Sequence, residues 1–257
     1  MTRISIQPMI FDGELKAGTY NFEPIKDIEE IPQDYDTITR FAKMKTIELK
    51  TDLKDKQIFK MENWLSGIIK YDNIIKNYNF DGTPLFIPIT DYCQFFILHN
   101  STPSYLYLWA SRKIMISIKR RLGRLFSSAF GIDLFRYYLP RDNVVNLRNS
   151  LDIETNRTKF KTNQTDVIEY TLKGVNPDRS ALNDSIIGTN ELISFDGEVL
   201  PRSGTKRWKI SISEDGGIYT QNKVSMRELI DFHYNEILPH LIRKSSPLSP
   251  KEDYEME

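Results

Sequence analysis

The chain has 257 residues, a length at which folding buries a large hydrophobic core. Its composition, 40% hydrophobic and 27% charged, is that of a globular protein and argues against disorder. The 35 basic and 35 acidic residues cancel, so nucleic-acid binding would have to come from a local cluster of charge. The only cysteine, Cys93, excludes an intrachain disulfide and a cysteine metal cluster. The sequence has no secretion signal and no membrane-spanning apolar run, so we expect a cytoplasmic protein that does not contact membranes.

The first fifty residues contain short extended segments. Residues 4–11 and 37–49 have strand-like composition, and they are separated by Pro32 and by an acidic stretch around Glu29. We therefore predict a small β-rich module over residues 1–50.

Residues 61–79 carry apolar side chains at helical spacing. The positions are Met61, Trp64, Leu65, Ile68, Ile75 and Tyr78. This spacing predicts an amphipathic helix over 61–79 that buries one face. Two apolar runs follow, at 93–98 and 105–110, and the Asn, Ser and Pro residues between them predict a β-hairpin.

A second helix is predicted over residues 111–128. Ser111 can cap its start, and Gly131 is placed to end it. Residues 149–185 are rich in Asn, Thr and Asp, which predicts a long loop with one strand near 167–172.

The C-terminal part contains two strong local signals. Residues 208–213 and 218–221 flank the sequence Glu-Asp-Gly-Gly, which predicts two strands joined by a tight turn. Ser225 and Glu228 form a capping box that predicts the start of the last helix.

Together these elements predict an α+β fold in which antiparallel β-hairpins pack with about three amphipathic helices. The predicted organisation is a β-rich module over 1–50, a main core over 51–244 that includes the basic helix 111–128, and an acidic flexible tail over 245–257.

The most unusual feature of the sequence is a cluster of positive charge without acidic neighbours. Between Tyr92 and Ile132 there is no Asp or Glu, while six basic residues lie close together: Arg112, Lys113, Lys119, Arg120, Arg121 and Arg124. On a helix the apolar residues cover one arc, and most of these cations lie on the opposite arc. Arg120 and Arg124 are a like-charge pair one turn apart, so the helix needs anions from outside itself. Those anions are carboxylates elsewhere in the fold, another subunit, or phosphates.

The wider window from Tyr92 to Ser150 carries nine basic residues against two acidic ones, a net charge of +7. Arginine dominates this window, and its planar guanidinium suits phosphate better than a lysine ammonium does. The residues predicted to bind nucleic acid are Arg112, Lys113, Lys119, Arg120, Arg121, Arg124, Arg136 and Arg141.

An enzymatic alternative rests on a short pattern. Asp36, Glu48 and Lys50 fit the loose D…ExK spacing of a nuclease superfamily in which carboxylates hold Mg²⁺. A polar edge strand accounts for the same residues. No phosphate-binding loop, dinucleotide-binding glycine motif or zinc-protease motif occurs, and the three histidines are scattered. We therefore assign no catalytic residue, metal site or cofactor from the sequence.

The strand and basic helix at 105–126, together with the helical ending at 225–241, resemble the APAZ-type partner proteins of short prokaryotic Argonautes. The resemblance covers the central and C-terminal parts of the chain and involves no catalytic motif. It implies a noncatalytic subunit that pairs with a short Argonaute, helps to hold the guide or target strand, and acts in defence against foreign DNA. It also implies a free-standing version, because the first fifty residues are too few for the effector domains often fused to APAZ segments.

Three hypotheses follow from the sequence. The leading one is a noncatalytic nucleic-acid-binding accessory subunit, because the basic helix is uncompensated. The second is a Mg²⁺-dependent nuclease that uses Asp36, Glu48 and Lys50. The third is a protein-interaction module whose basic helix binds an acidic partner.

Overall fold

The computed structural model describes residues 4–35, 42–98, 103–110, 112–161, 169–177, 191–202, 204 and 206–248. Strands account for 56% and helices for 20%, and the sheet is mostly antiparallel. The fold is therefore a β-rich one, and the predicted α+β class, with hairpins packed against about three amphipathic helices, is wrong.

The described residues contain fifteen strands and three α-helices. The strands are β1 (Ile4–Phe11), β2 (Gly18–Thr19), β3 (Ile25–Tyr35), β4 (Ala42–Leu53), β5 (Gln57–Met61), β6 (Trp64–Tyr78), β7 (Pro84–Leu98), β8 (Ser104–Ala110), β9 (Phe135–Tyr138), β10 (Glu154–Lys161), β11 (Glu169–Lys173), β12 (Glu191–Val199), β13 (Trp208–Ser213), β14 (Ile218–Thr220) and β15 (Ile242–Pro247). The helices are α1 (Arg112–Phe130), α2 (Arg141–Leu151) and α3 (Met226–Phe232).

The chain divides into two compact units, each built from separated stretches of sequence. The first unit comprises Met1–Ile10, Tyr105–Arg112 and Phe135–Pro247, and the second comprises Phe11–Ser104, Lys113–Leu134 and Leu248–Glu257. The boundary predicted at residue 50 falls inside β4. Of the predicted tail, residues 249–257 lie outside the described part of the chain.

The second unit is a twisted set of antiparallel strands in the order β7-β6-β4-β3, with β5 beside β6 and β2 beside β5. Its central ladder is long: β6 pairs with β7 in continuous register from Trp64↔Leu98 to Tyr78↔Pro84. The helix predicted over 61–79 is therefore wrong. Leu65, Ile69 and Tyr71 are buried at alternate positions, and the β-branched isoleucines of this stretch suit a strand.

The first unit contains the strand order β11-β10-β12-β13-β14-β1-β8, and β9 pairs with both β1 and β15. The long loop predicted over 149–185 is wrong in its first part, because β10 occupies 154–161 and pairs with two neighbours. β11 confirms the strand predicted near 167–172. The turn between β13 and β14 is confirmed, with Gly216 at φ 75°.

The predicted end of the basic helix at Gly131 and the predicted start of the last helix at Ser225 are confirmed, and Ser111 lies outside the described residues. α1 occupies the predicted basic helix, and α3 begins at the capping box, where Ser225 and Glu228 cap each other's backbone amides. α3 continues as a π-helical turn over His233–Ile237 and a 3₁₀ turn over Leu238–His240. Across the described parts of the chain, each helix falls short of the length or the apolar character needed to cross a bilayer.

Candidate nucleic-acid interface

Helix α1 is held against the second unit by its apolar face. The side chains of this face that are buried are Ile118, Leu122, Leu125 and Phe126. The Phe126 ring meets Phe95 of β7 edge to face, with 5.6 Å between centroids. The helix ends at Gly131, whose φ of 66° and whose N–H donation to Ser127 O (2.9 Å) are those of a C-terminal cap. The amphipathic pattern thus orients the helix as predicted.

Two of the predicted phosphate-binding arginines have carboxylate partners inside the protein. Arg121 Nε lies 3.1 Å from Asp27 Oδ2, and Arg124 Nη2 contacts Asp27 Oδ1. The Arg121 side chain is 9% exposed and that of Arg124 is 33% exposed. One carboxylate of β3 therefore bridges two guanidinium groups of α1.

Arg121 also contacts a second carboxylate and a backbone carbonyl. Glu29 lies two positions after Asp27 on β3, hence on the same face of the strand, with Oε1 at 3.8 Å from Arg121 Nη2. Arg121 Nη1 also donates to the Asp72 carbonyl of β6. Because its donors meet protein acceptors on two strands, Arg121 positions the helix and is not available to an external phosphate.

The other predicted binding residues fall into two groups. The first contains α1 residues whose side chains lie outside the described part of the chain: Arg112, Lys113, Lys119 and Arg120. The second belongs to the first unit: Arg136 on β9, which interacts with other groups, and Arg141, the first residue of α2, whose side chain is also outside the described part. The predicted set is therefore divided between the two units.

The chain crosses α1 at Gly123. A Cβ atom at this position would lie 2.7 Å from the Leu248 carbonyl oxygen and 3.0 Å from the Leu248 Cβ, which only glycine avoids. The Leu248 N–H donates to Leu134 O at 2.7 Å, which fixes the crossing segment.

The residues of the nuclease alternative do not assemble a metal site in the described structure. Glu48 Oε2 lies 3.2 Å from Lys26 Nζ, and its Oε1 lies 3.5 Å from Lys50 Nζ. The hydrogen bond from Lys26 lowers the pKa of Glu48, and Lys50 adds to this effect. Asp36 lies outside the described residues, among which no group of three potential metal ligands is found. The arrangement is that of a charged edge of a sheet.

The two histidines in the described part of the chain, His233 and His240, do not form a site. His233 is fully buried in the first unit, between the Tyr107 hydroxyl and the Gly216 carbonyl, and His240 Nε2 lies 3.3 Å from Ser150 Oγ. Burial lowers the pKa of His233 to about 3, so this side chain is neutral at physiological pH. His99 lies outside the described residues.

Sequence reasoning did not single out Asp27 and Glu29 as the partners of the arginines. Their signal was the acidic stretch before Pro32, in which two carboxylates alternate along a strand. Asp27 contacts Arg121 and Arg124, and Glu29 contacts Arg121, whereas the side chains of the other four basic residues of α1 lie outside the described part of the chain. No protein-family model matches this sequence, and no curated protein shows significant sequence similarity to it.

Proposed function

We propose that this protein is a noncatalytic nucleic-acid-binding accessory subunit and that α1 contacts the phosphate backbone. One observation carries the proposal: six basic residues on α1 have no acidic residue on their own helix, and the contacting carboxylates Asp27 and Glu29 balance two of them. The excess is local, because the whole chain is neutral. A phosphate backbone supplies the missing anions in a regular array.

The geometry divides the basic residues of α1 into two roles. Arg121 and Arg124 hold the helix on β3 through Asp27, so they are positioning residues. Lys113, Lys119 and Arg120, with Arg112 at the start of the helix, then serve as the phosphate-binding residues. Such contacts position a nucleic acid without reading its sequence. The expected binding is strong at low salt and insensitive to base sequence.

The proposed subunit acts with a short Argonaute that supplies the guide, as the resemblance to APAZ-type proteins implies. We propose that the tip of the β6–β7 ladder is the surface that binds the protein partner. Leu85 and Ile87 are exposed on one face of the ladder, and Phe80 is exposed in the turn beyond it. A group of this kind at the end of a two-stranded ladder is a typical protein-binding surface. Phe80→Ser combined with Leu85→Ser is expected to abolish co-purification with the co-expressed Argonaute and to leave the thermal midpoint of the subunit unchanged.

Fluorescence anisotropy with labelled single-stranded and duplex DNA and RNA, over a salt series, tests the nucleic-acid proposal. Four phosphate contacts give a slope of log affinity against log salt of about −3. Lys119→Gln combined with Arg120→Gln should reduce the slope by about 1.5, equally for all sequences, and leave the thermal midpoint unchanged.

The matched control is Lys26→Gln combined with Lys50→Gln. It removes the same charge from the same unit, at an exposed site on β3 and β4. If both double variants reduce the slope equally, net charge and not α1 governs binding, and the proposed interface is wrong. If the wild-type protein binds no nucleic acid at low salt, the proposed function itself is wrong.

A further inference from the structure

A small polar cavity lies on one face of the sheet in the first unit. Its volume is about 170 Å³. The polar side chains that line it belong to β10, β12, β13 and β14 or directly follow β14, and they are Asn156, Asp196, Lys209, Ser211, Tyr219 and Gln221. The cavity lies within the first unit, and none of these residues is among those proposed to bind nucleic acid.

The strand register places three of these side chains in one row across the sheet. Asp196 pairs with Ser211, and Ser211 pairs with Tyr219, so the three side chains share one face. Their chain neighbours Ile212 and Ile218 are buried on the opposite face. Strand alternation therefore keeps the hydrophobic side chains in the core and leaves a polar row on the other side.

A β-bulge in β10 adds an amide to this row. Thr155 pairs with Gly197 and Arg157 pairs with Asp196, so Asn156 is an extra residue on its strand. Bulges redirect side chains and are common beside binding sites. Strict alternation would turn Asn156 to the face opposite that of Arg157, whereas the bulge brings it to the cavity.

The charged groups around the cavity are paired with each other. Asp196 forms an ion pair with Arg157, and Lys209 Nζ lies 3.5 Å from Glu198 Oε1. These four charges sum to zero, so the site favours a neutral ligand over a phosphate or a metal ion. Asp196 Oδ1 is buried and has no hydrogen-bond partner among the described residues, unlike most buried polar atoms. The terminal torsion of Asp is broad, so a ligand hydroxyl in the cavity can recruit this oxygen.

The size and the lining of the cavity favour a single sugar ring. A volume of about 170 Å³ is below the ~300 Å³ at which pockets for drug-sized ligands begin, so the cavity holds one ring with its substituents. Side-chain hydroxyls and amides both donate and accept hydrogen bonds, as sugar hydroxyls do. Tyr219 is the one aromatic residue in the described lining, which suits the C–H face of a pyranose. A nucleobase has two apolar faces to cover.

We propose that this cavity binds one neutral pyranose unit. The amides of Asn156 and Gln221, the Ser211 hydroxyl and the Asp196 carboxylate bind the sugar hydroxyls, and the Tyr219 ring packs against the C–H face. The site goes beyond the function proposed above and does not depend on it. An open site with few contacts binds weakly, so the expected Kd is on the order of 1 mM.

Ligand-observed NMR of the full-length chain tests this inference. The probes are the methyl pyranosides of glucose, galactose, mannose and N-acetylglucosamine, and the four ribonucleosides serve as comparison. At least one pyranoside should receive saturation transfer that titrates with a Kd on the order of 1 mM. The inference is wrong if none of the pyranosides binds at about 50 mM, well above that Kd, or if only nucleosides bind.

Variants locate the binding at the cavity. Asn156→Ala combined with Gln221→Ala removes two exposed amides and should weaken binding about tenfold without a change in the thermal midpoint. The matched control is Thr171→Ala combined with Asn235→Ala, two exposed polar residues of the same unit outside the lining. Tyr219→Leu should abolish binding, whereas Tyr219→Phe retains the ring and most of the affinity. Equal weakening by the two double variants, or equal binding by Tyr219→Leu and Tyr219→Phe, would overturn the inference.

Discussion

Two polar clusters lie among buried residues, one in each unit, and they are stabilised in opposite ways. In the second unit, the carboxylate of Asp27 forms ion pairs with Arg121 and Arg124. In the first unit, His233 is neutral between Tyr107 and Gly216. The stability of a cluster of charges depends on every partner being present, because a buried charge without its counter-ion is costly. The stability of a neutral cluster depends instead on pH.

The hydrogen bonds of His233 fix its tautomer. The Gly216 carbonyl can only accept, so Nε2, at 3.1 Å, must carry the proton. Nδ1 is then the acceptor of the Tyr107 hydroxyl at 3.2 Å. Both nitrogens are satisfied in the neutral form, and protonation would place a second donor opposite the Tyr107 O–H.

The largest expected effect is that of Asp27→Ala. The substitution leaves the buried Arg121 and the half-buried Arg124 without their shared carboxylate, so the free energy of unfolding should fall by about 3–5 kcal/mol. Urea unfolding measures this change in the free energy of unfolding. The control is Glu29→Ala, whose side chain is 51% exposed and 3.8 Å from Arg121, and which should cost about 1 kcal/mol or less. Equal losses for both variants would contradict the shared-carboxylate interpretation.

Next in size is Tyr107→Phe in the neutral cluster. It removes the donor to His233 Nδ1 and leaves a buried acceptor unsatisfied, which should lower the free energy of unfolding by about 1–3 kcal/mol. The same chemical unfolding measurement applies. A loss smaller than that of Glu29→Ala would show that Nδ1 finds another donor.

Acidification should affect the stability of the two clusters differently. The unfolded chain protonates His233 near its ordinary pKa of 6.5, whereas the folded protein does so only near pH 3. Between these values the unfolded state binds more protons, so stability falls as the pH drops through this window, by up to about 1.4 kcal/mol per pH unit. His233→Gln should reduce this slope, and Asp27→Ala should leave the contribution of His233 intact. An unchanged slope in His233→Gln would argue against a neutral buried histidine.

The smallest effect is expected for Glu48→Ala. Its ion pairs with Lys26 and Lys50 are exposed, and such pairs contribute little because water and salt screen them. The thermal midpoint should not change measurably, and addition of EDTA should have no effect on either protein. A midpoint that drops with EDTA in the wild type alone would revive a metal site at Glu48.

Local signals in the sequence predicted the elements that local interactions decide. The capping box at Ser225, the cap at Gly131 and the turn at Gly216 act within a few residues, and each is found where expected. β6 was mistaken for a helix because its apolar positions fit helical spacing, whereas its pairing with β7 decides its structure. Tertiary pairing of this kind overrides local propensity.

The sequence predicts the positive charge of the candidate site but not the residues of the fold that contact it. The acid-free basic helix is evident from the sequence, yet Asp27 lies 97 residues before Arg124, and nothing local connects them. The same limit explains why β3 was missed. Its acidic residues and Pro32 indicate a separator between two strands, although Asp27 contacts the arginines of α1.

Some strands that pair with each other are far apart in the sequence, so one of them is synthesised long before the other. β1 pairs with β14 from Ile4↔Thr220 to Ile6↔Ile218, so β1 is synthesised long before its partner. At about 5–20 residues per second, the delay between their syntheses is roughly 10 to 40 s. Throughout this delay β1 has an open edge able to pair with other chains. Slower translation therefore lengthens the time for which this edge of β1 is exposed.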